Sequence, residues 1–176
     1  MLSPSFARAL VLVETTQRLH AFFHHLDERR YAEMVEMFTI DGRWLRQGRW
    51  SNGRAEVRAA LEARPAGQRV RHVITNTHVS AEGSDEATVA AYMTAYRHDG
   101  PSEGVARIPG PFRLNIVTTI FRRERGEWLI AEQRMVPEFD FTNAEPASLE
   151  NLAWPEVSGP RTPIAPNRPT PPKGKT

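Results

Sequence analysis

His72 stands near the start of RVRHVITNTHV, residues 69 to 79. The β-branched residues Val70, Val73, Ile74, Thr75, Thr77 and Val79 predict a strand there. At period two, Asn76 and His78 fall on the same side as His72. An imidazole titrates near about 6.5, so it can accept a proton at physiological pH. Asp27, in HHLDERR, falls at the end of a predicted N-terminal helix. A negative charge at a helix C-terminus opposes the helix dipole, so an acid there is suited to another task. A carboxylate on one ring nitrogen fixes the tautomer and favours the imidazolium, and a base of this kind contributes about 10²- to 10⁴-fold. The same two residues also have a plainer reading. Asp27 would be a turn residue, and His72 a sheet histidine bonded to a backbone carbonyl.

Other side chains with chemistry are fewer. Tyr92 and Tyr96 lie four apart on one predicted strand, hence on one face, as phenol donors or as ordinary strand aromatics. Asn115, in RLNIVTTIF, could donate to an oxyanion or be a strand-edge polar residue. Arg97 and Asp99 run into a Gly-Pro loop and read as loop residues. His24 and His25 accompany Asp27, but adjacent helical positions diverge. No other ligand set has metal spacing, and no metal or other cofactor is expected.

The elements that must position these groups follow from periodicity. Phe6, Leu10, Val13, Leu19, Phe22, Phe23 and Leu26 form an amphipathic stripe and predict a helix over 5 to 30, opened by Ser3-Pro4. Tyr31, Met34, Val35 and Phe38 predict a second, short helix that Asp41-Gly42 ends. GRWLRQGRW reads as a first strand holding Trp44 and Leu45, and a third helix runs from about 54 to 64 before Pro65 and Gly67. The period then becomes two, with strands expected at about 69 to 80, 87 to 97, 112 to 123 and 128 to 136. The last pair, RLNIVTTIFRRERGEWLIAEQRM, is a hairpin signal. Helices ahead of sequential antiparallel strands predict an α+β layer, three N-terminal helices packed on a curved, mostly antiparallel sheet with a small-molecule cavity between them.

Composition bounds the function. The chain has 176 residues, 40% hydrophobic and 25% charged, which fits one domain with an appended tail. The expected division is a domain over 1–137 and an extended tail over 138–176, because nine of the 14 prolines lie from 137 onward. Phe139, Phe141, Leu149, Leu152 and Trp154 could pack that tail on the domain or on a neighbouring subunit. There is no cysteine, which excludes thiolate nucleophiles and disulfides. No apolar run approaches the roughly 20 residues of a membrane span, and ALVLV is too short for a secretory core. A cytoplasmic protein without a membrane partner is expected. Net charge is only +2, and all basic residues but Lys173 and Lys175 are arginines interleaved with acids, so no nucleic-acid partner is expected.

The segments LDERRYAEMVEMFTIDGRW, SNGRAEVRAAL, RHVITN and FRRERGEWLIAEQRM, in that order, resemble the SnoaL-like branch of the NTF2-like superfamily over about residues 6 to 137. The resemblance implies a cone-shaped α+β barrel, as a homodimer or homotrimer. Within that superfamily, scytalone dehydratase and hexachlorocyclohexane dehydrochlorinase place an Asp and a His at positions similar to Asp27 and His72. The resemblance gives the His the role of general base and the Asp that of orienting it. Trp44 falls at a pocket position of the dehydrochlorinase. Departures are plain: a second active-site His is replaced near Met93, a pocket tyrosine near Arg46, and a lysine by Phe22. An arginine of the final strand is matched only loosely, by Gln133 or Arg134.

The expected function is thus a cofactor-independent lyase or isomerase on a small apolar or aromatic molecule. Asp27 and His72 would be catalytic, with Tyr31, Trp44, Tyr92 and Asn115 in the substrate pocket. Two alternatives belong to other classes. One is a non-catalytic small subunit of a ring-hydroxylating dioxygenase-type complex, with a closed cavity; the other is a ligand-binding module without turnover.

Overall fold

The structure, a computed structural model, describes residues 3–81, 85–100 and 104–141. Beyond Phe141 the expected tail lies outside the described residues. Helix α1 spans Pro4–Asp27 and α2 Tyr31–Glu36. Strands β1, Phe38–Arg46, and β2, Arg49–Asn52, precede α3, Gly53–Glu62. Strands β3, Gln68–Ala81, β4, Glu86–Asp99, β5, Arg113–Glu124, and β6, Glu127–Asp140, complete the order. One sheet has the strand order β2-β1-β6-β5-β4-β3, antiparallel except where β1 runs parallel to β6. The α+β class is as expected, with the helices packed on a curved sheet. The sheet is not closed, and β2 and β3 are its edges.

Turn chemistry accounts for the strand that periodicity missed. GRWLRQGRW is a hairpin, because Gln47 and Gly48 both take positive φ, 53° and 74°, between the partners Arg46 and Arg49. A two-residue loop with both φ positive matches the twist of antiparallel strands. Arg125 and Gly126 do the same between β5 and β6, at 52° and 88°. β6 continues past the expected boundary to Asp140. Pro137, which has no N–H, sits beside the register shift between Leu114 and Asn115.

A bulge in β3 corrects the expectation that Asn76 and His78 share the His72 face. Asn76 takes φ 51°, and the pairing with β4 skips from Thr75 to His78. The extra residue reverses the alternation. His72 and Ile74 point toward the helices, and beyond the bulge Thr77 and Val79 do, while Asn76 and His78 are exposed.

The core gathers where α1 crosses the sheet. Ser3 caps α1, its side chain accepting from the Phe6 N–H at 3.3 Å. The buried line runs through Val11, Thr15, Leu19, Phe22, Phe23 and Leu26. Phe6, Leu10 and Val13 of the expected stripe are exposed, because that line passes through Val11 and Thr15 instead. The Phe22 ring meets Phe23, Phe38 and Trp44 edge-on at 5.1, 5.9 and 5.9 Å between centroids. The other half of α1 is tied to the last hairpin, where Trp128 Nε1 donates to Glu14 at 2.8 Å.

Gly42 lets β1 lie against β6. A Cβ there would stand 2.6 Å from the Ile130 carbonyl oxygen, at the register shift between Phe38 and Arg43. Gly42→Ala should therefore lower the unfolding free energy by about 1–3 kcal/mol, the usual cost of overpacking a tight contact. Denaturant unfolding measures it, and an unchanged midpoint would contradict this packing.

Candidate active site

Asp27 and His72 come together through a device at the end of α1. Glu28 closes the last turn by donating its N–H to the His24 carbonyl, and Arg29 then takes φ 57°. That left-handed residue turns the chain toward α2. The Arg29 guanidinium reaches across to the carbonyls of Pro65 and Gln68, at 2.5 and 2.6 Å, which fastens the turn to the start of β3. The last residue of α1 is thereby set beside His72. Asp27 Oδ1 lies 2.5 Å from His72 Nδ1, and Oδ2 accepts the His72 backbone N–H at 2.9 Å. Arg71 braces the same corner, donating to the Asp27 carbonyl at 3.1 Å and pairing with Glu28 at 3.2 Å.

The side chains of His72 and Asp27 are 8% and 10% exposed. With Nδ1 facing a carboxylate, the ring proton of the neutral form belongs on Nδ1. Nε2 is left with its lone pair free, as a base requires. The Phe23 ring backs the imidazole at 5.2 Å between centroids. This is the orientation that a general base needs.

His72 lines a cavity of about 700 Å³, counted with its solvent-open mouth. Leu26, Val70, Met93, Ala95, Phe112 and Met135 supply its apolar wall. Its polar lining includes Asn115 and four arginines, Arg46, Arg64, Arg97 and Arg113. Arg64 is 8% exposed, with Nη1 bonded to the Leu26 carbonyl at 2.9 Å and the Tyr31 hydroxyl at 3.2 Å. Burial pushes the Arg46 guanidinium below its ordinary pKa, and the nearby Arg64 charge pushes it further. Burial does the same to Arg64, against the opposing pull of Tyr31. Both stay charged at any physiological pH. A second, shallower groove on the α1 side is lined by His20, Phe23, His24, Asp27, His72 and Ile74.

The sequence-derived site residues divide. Asp27 and His72 are brought together, and His72 and the 6% exposed Asn115 line the cavity. Trp44 is not on the cavity wall; it is wholly buried in the core, packed on Phe22. Tyr92 is 44% exposed on the opposite face, since Met93 and Ala95 take the inward positions of β4. Tyr31 stands behind the wall and touches it through Arg64. Arg97 and Asp99 are strand residues paired at 2.8 Å, not loop residues. Arg46 was noted only as standing near a pocket tyrosine of the resembling enzymes, and Arg64 was not singled out; one ends β1 and the other lies two residues beyond α3. Among the described residues, no group of three or more His, Cys, Asp or Glu could hold a metal, and no helix is long and apolar enough to cross a membrane.

Comparison with known proteins places this geometry. No curated protein sequence matches the chain. A putative scytalone dehydratase from Novosphingobium aromaticivorans is similar at 14% identity and TM-score 0.67, over 80% of this chain and 99% of that one. ActVI-ORFA from Streptomyces coelicolor is similar at 21% identity and TM-score 0.62, over 73% and 98%. An NTF2-like protein with a cystatin-like fold from Novosphingobium aromaticivorans is similar at 19% identity and TM-score 0.61, over 88% and 98%. These likenesses establish the fold. The model of the SnoaL-like domain matches residues 8–134, so the chain belongs to that family on an NTF2-like fold, a family that includes cofactor-independent polyketide cyclases and dehydratases.

Proposed function

We propose that the protein is a cofactor-independent lyase or isomerase acting on a small molecule with a largely apolar body. One observation carries the reading: a carboxylate 2.5 Å from His72 Nδ1, with that ring in the wall of a cavity. His72 Nε2 takes a proton from carbon next to a carbonyl or vicinal to a leaving group. The electron pair of the broken C–H bond forms a new double bond. The leaving group departs with its own pair, or the proton returns at another carbon and the double bond has migrated. Asp27 holds the ring and balances the charge it gains. Asn115, from β5 of the same sheet, donates to an oxygen on which negative charge develops.

The likeness to a putative scytalone dehydratase, and membership of a family that includes polyketide cyclases and dehydratases, support a dehydratase or cyclase reading. A partner subunit would have a closed cavity, whereas this one opens to solvent, which favours the enzyme. The protein is further read as a homodimer or homotrimer. Tyr92, Ile116 and Val136 are direct cross-strand neighbours, each at least 37% exposed, and form an apolar row across the outer face of the sheet.

Three measurements test these readings. In a nitrogen NMR spectrum of the neutral protein the His72 ring should carry its proton on Nδ1, and Asp27→Ala should weaken that preference. A ring protonated only on Nε2 would contradict the dyad. In deuterium oxide the protein should accelerate exchange of the acidic carbon-bound hydrogen in a panel of aryl β-keto esters, and His72→Ala should cut that rate by about 10²- to 10⁴-fold. Undiminished exchange would sink the mechanism. In sedimentation, Ile116→Arg should lower the mass of the oligomer; a wild-type monomer would remove the oligomer reading.

A further inference from the structure

The cavity holds positive charge that the fold does not neutralise. Arg97 and Arg113 line it with acidic partners, Asp99 at 2.8 Å and Asp140 at 2.6 Å. Those acids are not part of the cavity lining, and no Asp or Glu among the described residues is. Arg46 and Arg64 differ from these two, since neither has a salt bridge among the described residues. Arg64 is held by a carbonyl and a phenol through Nη1. Arg46 lies 5.4 Å over the Trp44 ring, half-buried, with its charge close enough to Arg64 for the two to repel. The acid whose field reaches Arg64 is Asp27, and both of its carboxylate oxygens are bonded to His72. Acids are not scarce in this protein: Arg43, Arg54, Arg71, Arg122 and Arg134 are all ion-paired.

Two buried or half-buried guanidiniums in the lining of one cavity, without a counter-charge, are costly unless a ligand supplies it. Their planar forks match an anion with two or three oxygens. We propose that the cavity takes a ligand bearing one anionic oxygen group, a carboxylate or a phosphate, on an apolar body, with that group seated between Arg46 and Arg64. The body lies along Leu26, Met93 and Met135, and the carbon to be deprotonated is presented to His72. This names the substrate class of the proposed reaction and rests on that reading for its last step, but the anion contact itself does not require His72 to act as a base.

The test is calorimetric titration of the full chain with three probes of one shape: naphthalene carboxylate, naphthyl phosphate and naphthalene carboxamide. One of the two anions should bind at least about tenfold tighter than the neutral amide, as charge-assisted hydrogen bonds do, and which anion wins tells carboxylate from phosphate. Arg46→Gln is the informative variant, because the Arg46 side chain makes no hydrogen bond among the described residues. It should reduce the anion's advantage to within about threefold while leaving the amide's affinity in place, which also reports an intact cavity. His72→Gln should keep the advantage. Equal binding of anion and amide, or no measurable binding of any probe, overturns the proposal. So does a preference that survives Arg46→Gln, or one that disappears in His72→Gln. Failure of hydrogen exchange with the anion preference intact would remove only the base; loss of the preference with exchange intact would remove only the anion seat.

Discussion

The contact between Asp27 and His72 is the constraint around which this molecule is arranged. A carboxylate that is nearly buried must have its oxygens satisfied, or burial would cost more than the fold can spare. Here both oxygens go to one residue of β3, one to its ring and one to its backbone N–H. The bond therefore does two things at once. It fixes the tautomer of the imidazole, and it occupies a main-chain donor on a strand that is an edge of the sheet. The end of α1 is pinned to β3 by the same atoms that define the site, so the site's geometry is a consequence of how the helix docks.

That docking leaves the cavity where it is. Because β1 joins β6 in parallel across Gly42, the sheet continues past the hairpin and carries Arg46 round to face the end of α3. Arg64 follows α3 by two residues and turns back on the Leu26 carbonyl, one residue before Asp27. The two unpaired cations and the dyad thus hang from the same corner. Leu26 offers its carbonyl to an arginine and its side chain to the cavity wall, while its neighbour holds the base.

Much of this could be read from the chain, and the failures have physical causes. Asp27 and His72 were legible as a pair through the family resemblance, with support from an acid at a helix C-terminus, where the dipole disfavours it. The helices and the last four strands were legible because their apolar periods are long. Trp44, given a pocket place by the resemblance, does face inward but is covered by Phe22; Tyr92 was misplaced because facing depends on register, and a strand's parity cannot be read without knowing which side is inside. His78 was misplaced by a single left-handed residue, Asn76, which reverses the parity midway along β3. Arg46 and Arg64 lie beside a turn and beyond a helix end, where no period says which way a side chain goes. Their lack of an acidic partner is a property of the packed structure alone.

The arginines also bear on how the dyad could work. Proton abstraction from carbon creates negative charge on the ligand as it creates positive charge on the ring. Asp27 answers the second of these from outside the cavity wall, through Nδ1. Among the described residues nothing acidic lines the cavity to oppose the first, and Asn115 and the guanidiniums offer it donor groups. In a partly water-excluded space such fixed charges act more strongly than they would in water. If the ligand arrives with its own anion, that group meets Arg46 and Arg64 and offsets their repulsion. The charge that develops during reaction is then left to Asn115 and the rest of the rim. On the proposed reading the dyad and the unpaired arginines are separate devices: one would make the base, and the other would determine which molecules are held in front of it.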